Sequence, residues 1–140
     1  VNLLAKVSRL SLLRFAVIGA LGLPVDAGML WLMTHRIGLD PYSGRIISWL
    51  SAASFTWTGN RYFTFRAARA RGLFATAKEW LRFLAANAVG GLVNVGLYST
   101  LVRFAPPPLN NLYAALVVGV LAGLVFNFTL SKTMVFKGPI

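Results

Sequence analysis

Long stretches of this chain carry no charge. Between Phe83 and Val102, and again between Phe104 and Ser131, no charged side chain occurs, and from Phe15 to Met33 the apolar run is interrupted only by Asp26. A helix needs roughly 20 apolar residues to cross the hydrocarbon core of a bilayer, so each run predicts a transmembrane helix. A fourth run, Ile46 to Gly59, is also uncharged but rich in Ser and Thr, and predicts a weaker fourth span. The expected fold class is therefore an all-α integral membrane protein with four transmembrane helices, forming one membrane domain over residues 1–140. The basic N-terminal stretch ahead of an apolar run has the order of a signal peptide. The run is too long for one, however, and no small-residue cleavage pattern follows it, so the segment is expected to be retained.

Composition agrees with the pattern. Charged residues make up 12% of the chain, about half the share usual in a soluble domain. The chain has no cysteine, which excludes disulfides and thiolate chemistry, and its single histidine, His35, cannot build a histidine metal cluster. Its only acids are Asp26, Asp40 and Glu79, and no glycine-rich loop ending in Lys-Ser/Thr occurs. No nucleophile–base pair or nucleotide site can be assembled from such a set. An enzyme is not expected, nor is a cofactor.

A net charge of +11 in a soluble protein would point to nucleic acid. Here the basic residues border the apolar runs, which instead points to topology and to contact with anionic membrane lipids. Lys6, Arg9 and Arg14 precede the first span. Arg61, Arg66, Arg69, Arg71, Lys78 and Arg82 lie between the second and third, and Lys132 and Lys137 follow the fourth. Only Arg36, Arg45 and Arg103 fall on the other side, so eleven of the fourteen cations share one side. Short loops rich in Lys and Arg stay cytoplasmic. Both termini and the middle loop are therefore expected to face the cytoplasm, in a multi-pass protein of the cytoplasmic (inner) membrane.

The chain also repeats itself. Arg14-Phe15 and Arg82-Phe83 open the first and third spans at an offset of 68, and Gly22, Val25, Asp26 and Gly28 meet Gly90, Val93, Asn94 and Gly96 at the same offset. Beyond the outer loops the offset becomes 71, matching Phe55, Arg61 and Phe65 with Phe126, Lys132 and Phe136. Two tandem two-helix repeats follow, at about 14–65 and 82–136, with a cytoplasmic loop at 66–80 that has the composition of an interfacial helix. Both copies contain two spans, so a pseudo-two-fold axis along the membrane normal is expected. Gly22, Gly28, Gly90 and Gly96 are expected to let helices approach closely, and Pro24 to kink the first span. Pro106-Pro107-Pro108 reads as a stiff connector in the second outer loop.

Several of these motifs resemble the GtrA-like family of small four-span membrane proteins. They are Arg14-Phe15-Ala16-Val17-Ile18-Gly19, Phe55 with Asn60-Arg61-Tyr62-Phe63-Thr64-Phe65, and in the second half Arg82-Phe83 with Phe126 through Phe136. The likeness covers roughly residues 14–136. Ser131-Lys132 departs from the basic pair or Asn-Arg more usual in the family, and Lys cannot grip phosphate bidentately as Arg can. The resemblance implies translocation of a polyprenyl-phosphate-linked monosaccharide for cell-surface polysaccharide or glycan assembly. It also leaves open an accessory role anchoring a membrane glycosyltransferase. A proton-coupled drug exporter, another four-span class with one acid in its first span, fits neither the internal repeat nor the strong basic bias.

A lipid-phosphate-sugar needs cations at headgroup depth and a shielded polar path for its sugar. Arg61 and Lys132, at the cytoplasmic ends of spans two and four, are candidates for the phosphate, although cations there also suit helix C-termini. Asp26 lies roughly 18 Å along span one from Arg14, near the bilayer middle, where carboxylates are costly and usually functional. It can bond sugar hydroxyls, exchange a proton, sit protonated against another helix, or pair with Arg45. Asn94, its repeat mate, together with Asn60 and Asn127, supplies further sugar-binding candidates, with Asn87, Trp49 and Trp57 nearby. Trp31 and Trp80 suit interfacial belts. Four short spans enclose little volume, so either a homo-oligomer or a groove open to lipid is expected.

Overall fold

The computed structural model describes residues 3–137 of the chain. All the regular structure among them is helical: α1 (Leu3–Trp31), α2 (Pro41–Gly59), α3 (Leu73–Phe104) and α4 (Leu112–Leu130). Three of these helices run on into a π-helical turn: α1 at Leu32–Arg36, α2 at Asn60–Thr64 and α4 at Ser131–Val135. α1 keeps its helical backbone through Pro24. The side chain of Lys6 lies outside the described residues.

Three helices among the described residues, Ser8–Arg36, Leu73–Phe104 and Leu112–Val135, are long and apolar enough to cross a membrane. α2, the weakest of the four expected spans, is not one of them. It has 19 residues, but hydroxyl side chains recur along it. Several of these bond back to their own helix, as Ser51 Oγ does to the Ile47 carbonyl (2.8 Å) and Thr58 Oγ1 to that of Ser54 (2.9 Å). Such back-bonding satisfies the hydroxyls locally without making the segment apolar by composition.

The short connections between α1 and α2 and between α3 and α4 make helical hairpins whose register is set at glycines. A Cβ on Gly22 would lie 2.6 Å from Thr56 Cγ2, and one on Gly59 would lie 2.7 Å from Ile18 Cγ2. Gly44 faces Leu30, Met33 and Thr34. α2 therefore runs antiparallel along α1. In the second hairpin Gly90 faces Asn127, Gly119 faces Asn94 and Tyr98, and Gly123 faces Gly90 and Asn94. Gly22 and Gly90 thus pack as expected. Gly28 and Gly96 have nothing within 4 Å and play no such part; the close approaches are made instead by Gly44, Gly59, Gly119 and Gly123.

Positions related by the two offsets make matching contacts. Gly22 meets Thr56 in one hairpin as Gly90 meets Asn127 in the other. Asp40 caps α2 by accepting from the Tyr42 and Ser43 amides, and Asn111 caps α4 through those of Tyr113 and Ala114. Phe15 sits edge-on to Phe65 at 6.2 Å and 66°, and Phe83 to Phe136 at 6.4 Å and 65°. Phe65 and Phe136 then stack on one another at 4.7 Å and 14°, joining the hairpins at their basic end. With Ala86, Phe128 and Val135 these rings form the buried core, and each offset or edge-to-face pair is worth about 0.5–1.5 kcal/mol beyond its area.

The middle segment differs from expectation. It holds no separate interfacial helix: α3 starts at Leu73 and continues unbroken for 32 residues, about 48 Å, against a hydrocarbon core of about 30 Å. Gly72 opens it with φ of +90°, a backbone conformation that glycine adopts without steric cost. The first turns of α3 project beyond the apolar part, with Leu73 and Phe74 exposed.

Candidate functional site

Between the two hairpins lies a cavity of about 360 Å³, at the small end of the range of about 300–1,000 Å³ typical of ligand sites. It extends from Phe15 and Asn60 near the basic end to Asp26 near the other. Phe15 and Asp26 are eleven residues apart on α1, roughly 16 Å along the helix axis. Four of the sequence-derived candidates, Asp26, Asn60, Asn94 and Asn127, come together on its walls, with Asn87, Thr56 and Trp49. Glycines form much of the remaining lining, so the cavity exists because side chains are missing there. Gly90 in particular leaves the space that the Asn127 amide fills, since a Cβ would lie 1.9 Å from Asn127 Oδ1.

The amides in this cavity are only partly satisfied. Asn127 Nδ2 donates to Asn87 Oδ1 at 3.3 Å, and Asn60 Oδ1 accepts from Thr64 Oγ1 at 2.8 Å. Asn60 Nδ2 and Asn127 Oδ1 are buried with no hydrogen-bond partner. Leaving such a group unpaired costs about 1–3 kcal/mol, and buried polar atoms in folded proteins are rarely unpaired without a reason. One donor and one acceptor thus stay unpaired in residues that line this glycine-rich cavity.

Asp26 is held by Arg45, whose Nη1 also donates to Ser48 Oγ at 3.1 Å. The pairing of Asp26 with Arg45, one of the four sequence-level readings, is present in the structure. The carboxylate closes the far end of the cavity with its charge already matched.

Arg61 and Lys132 are not brought together as two free cations. Arg61 is only 8% exposed and its guanidinium points to Glu79, with Nη1 to Oε1 at 2.5 Å. Its Nη2 donates to the Ala70 carbonyl at 2.6 Å and Thr76 Oγ1 at 3.4 Å, and the Trp57 and Tyr62 rings lie under its charge. Lys132 is half-buried and, among the described residues, forms no ion pair. The repeat is asymmetric here: the position that matches Glu79 at an offset of 68 is Ser11.

Glu79 is the residue that sequence reasoning missed. It accepts from Trp57 Nε1 (3.1 Å), from Arg61 and from the Ala70 amide (2.5 Å), tying the loop after α2 to the start of α3. Its signal was present as periodicity, because Glu79 shares one helix face with the buried Phe83, Ala86 and Gly90. Trp57 is therefore spent on Glu79, and Trp80 donates to Ser54 Oγ at 3.0 Å, which leaves Trp49 as the only sequence-named tryptophan on the cavity. At the opposite end Trp31 stacks on His35 at 5.7 Å.

The family model of the GtrA/DPMS transmembrane domain matches residues 14–136. The chain belongs to this family. Comparison with curated proteins finds no significant match. The GtrA/DPMS match and the apolar helices together make the chain a membrane protein, and the matched segment runs from the first residue of the Arg-Phe motif to the stacked Phe136.

Proposed function

We propose that this GtrA/DPMS-domain chain handles a polyprenyl-phosphate-linked monosaccharide in the cytoplasmic membrane, translocating its sugar headgroup without catalysing a reaction. The observation that carries the reading is the glycine-lined polar cavity that gathers Asp26, Asn60, Asn94 and Asn127, with Asn60 Nδ2 and Asn127 Oδ1 left unpaired. Sugar hydroxyls both donate and accept, and so match that pair. A cavity of this size takes the sugar and leaves the lipid chain in the bilayer.

In this reading α2 also crosses the membrane, making four spans. With its π-helical turn it has 24 residues, Pro41–Thr64, about 36 Å of helix, and it lies against α1 along that length. The basic end faces the cytoplasm by the distribution of Lys and Arg. The matching contacts of the two hairpins support a pseudo-two-fold axis along the membrane normal, passing near the Phe65–Phe136 stack. Asp26 serves as a polar wall group, neutralised by Arg45, and not as a proton carrier.

The test is reconstitution in proteoliposomes with a polyprenyl-phosphate hexose. Transport is expected without a pH gradient, and Asp26→Asn is expected to leave it insensitive to an imposed gradient. Failure with several sugars, in protein whose fold is verified, would favour instead the anchoring of a membrane glycosyltransferase. Leu73 and Phe74, 91% and 75% exposed at the projecting start of α3, supply an apolar surface for that role.

A further inference from the structure

The two hairpins are joined unevenly. Among the described residues, every side-chain hydrogen bond from one hairpin to the other runs between α2, with its π-helical turn, and α3. Trp57 Nε1 and Arg61 donate to Glu79, Arg61 also to Thr76, and Trp80 Nε1 to Ser54 Oγ. The opposite seam, between α1 and α4, is apolar. Phe15 and Phe128 meet across it edge-on at 5.6 Å and 73°, and beyond them Leu23 and Val120 line the polar cavity while staying exposed. Parting the α2/α3 seam strands the buried charges of Arg61 and Glu79. Parting the α1/α4 seam separates apolar groups alone, and lipid tails are as apolar as the side chains they replace.

The rings at the weak seam also close the cavity. At the basic end the cavity stops at Phe15, Phe83 and Asn60; Phe65 packs against Phe15 and Phe136 against Phe83, and all five residues are buried. At the far end Asp26 and Arg45 keep 22% and 53% of their side chains exposed. Phe65 and Phe136 each follow a π-helical turn, and their amides donate to the Asn60 and Ser131 carbonyls at 2.8 Å. Returning such a turn to α-helical pairing takes one residue out of it and swings the next side chain by roughly 100°. Asn60 belongs both to the cavity wall and to the turn that carries Phe65, so cavity and ring share one turn of backbone.

We infer that Phe15, Phe65, Phe128 and Phe136 form a gate at the basic end of the cavity, which opens when the hairpins part along α1/α4 while staying bonded along α2/α3. The structure holds the gate shut and the far end open. The inference deepens the proposed function and rests on its reading of the cavity as a path through the membrane. Rocking of one repeat against the other is a general way to expose such a path to each side in turn. Here the hydrogen-bonded seam supplies the hinge, and the edge-to-face and stacked rings supply a closure that leaves no polar atom unpaired when it opens.

The chain has no cysteine, so a single introduced thiol reports alone. Gly19 lies one turn beyond Phe15 on the cavity wall, and a Cβ there meets nothing within 4 Å. The experiment labels the full-chain Gly19→Cys variant in sealed vesicles with a charged, membrane-impermeant methanethiosulfonate added to one side at a time. Leu73→Cys at the basic end and Tyr113→Cys at the far end, both exposed positions, calibrate the two sides. Labelling is expected from the far side and to be slower from the basic side. Adding Phe65→Ala/Phe136→Ala is expected to raise the basic-side rate about tenfold or more, since each ring pair lost is worth about two- to tenfold. Should that variant lose its fold, Phe128→Leu is expected to raise the rate about two- to tenfold. Met33→Ala, which trims a buried side chain at the far end, is expected to leave it unchanged. Spin-label distances between Val17→Cys and Val125→Cys, across α1/α4, are expected to lengthen in the Phe65→Ala/Phe136→Ala background, and those between Phe55→Cys and Leu81→Cys, across α2/α3, to stay the same. Equal labelling of Gly19→Cys from both sides would overturn the inference. So would an increase with Met33→Ala as large as that with the gate variants, which would make the rings core alone, or lengthening across both seams. Accessibility is read without any substrate, so translocation by a chain that shows no gate overturns this inference alone, and a gate in a chain that moves no sugar overturns only the proposed function.

Discussion

Replacing Glu79 with Ala tests the physical account of the basic end. The carboxylate is 2% exposed and accepts three hydrogen bonds, from Trp57, Arg61 and the Ala70 amide. Its removal leaves the Arg61 cation, itself buried, with only the Ala70 carbonyl and Thr76 as polar company. Breaking a buried ion pair from one side costs about 3–5 kcal/mol, because the remaining charge is neither solvated nor matched. Glu79→Gln keeps the volume and an acceptor, and is expected to cost about 2–3 kcal/mol. The double variant Arg61→Met/Glu79→Leu removes both charges. It leaves two orphaned donors, Trp57 Nε1 and the Ala70 amide, and so is expected to cost no more than Glu79→Leu alone; with Arg61→Met alone also costing about 3 kcal/mol, the coupling is about 3 kcal/mol. The assay is reversible unfolding in mixed micelles titrated with a denaturing detergent, read by tryptophan fluorescence. A loss below about 1 kcal/mol for Glu79→Ala, the range of an exposed pair, would refute the reasoning, as would strictly additive single and double variants.

Two further predictions concern the hairpins. Gly90→Ala places a methyl group onto the Asn127 amide and is expected to destabilise the protein by about 1–3 kcal/mol, whereas Gly28→Ala meets open space and is expected to fall within about 0.5 kcal/mol of the wild type. Equal unfolding midpoints for the two would contradict the packing described. Hydrogen bonds from the Ser43 hydroxyl and amide to Asp40 hold its carboxyl below the usual aspartate range. The capping contribution is therefore full above that range and is lost as pH falls through the lowered value. Amide exchange at Tyr42 and Ser43 should accelerate on acidification relative to Tyr113 and Ala114, whose cap Asn111 does not titrate. Asp40→Asn should abolish the difference, and a ratio that does not change with pH in the wild type would rule the mechanism out.

How much of this was legible in the sequence differs from feature to feature. Uncharged runs announced three helices because length and apolarity are one-dimensional properties. α2 was ambiguous for the same reason: its hydroxyls are satisfied by its own carbonyls, which composition cannot register. The offsets of 68 and 71 placed Gly22 with Gly90 and Phe65 with Phe136, and the structure gives those positions matching contacts. The offsets did not say that Gly28 and Gly96 lie away from the helix contacts, since that depends on helix rotation. Of the four polar candidates that converge on one cavity, Asp26 and Asn94 are repeat mates, whereas the offset of 71 matches Asn60 with Ser131 and Asn127 with Thr56, so the repeat does not encode their meeting. The role of Arg61 was not legible, because a cation at a helix end looks the same in sequence whether it faces a ligand or a carboxylate eighteen residues later. Glu79 enters the sequence reading only as one of three acids, because an isolated acid among basic residues shows no partner in sequence. The difference between the bonded α2/α3 seam and the apolar α1/α4 seam depends on which helices become neighbours, a grouping that no local spacing encodes.

The central claim is that the cavity between the hairpins carries the sugar of a lipid-linked substrate. Its most direct test is the rate of polyprenyl-phosphate hexose translocation in proteoliposomes for the wild type and for Asn94→Leu, a substitution of similar volume that removes one amide from the cavity wall. The account predicts transport well above protein-free liposomes in the wild type and a loss of about fivefold or more in the variant, since a hydroxyl left without its partner in a buried site costs on the order of 1–3 kcal/mol. Equal rates for wild type and Asn94→Leu, both folded and equally inserted, would contradict it.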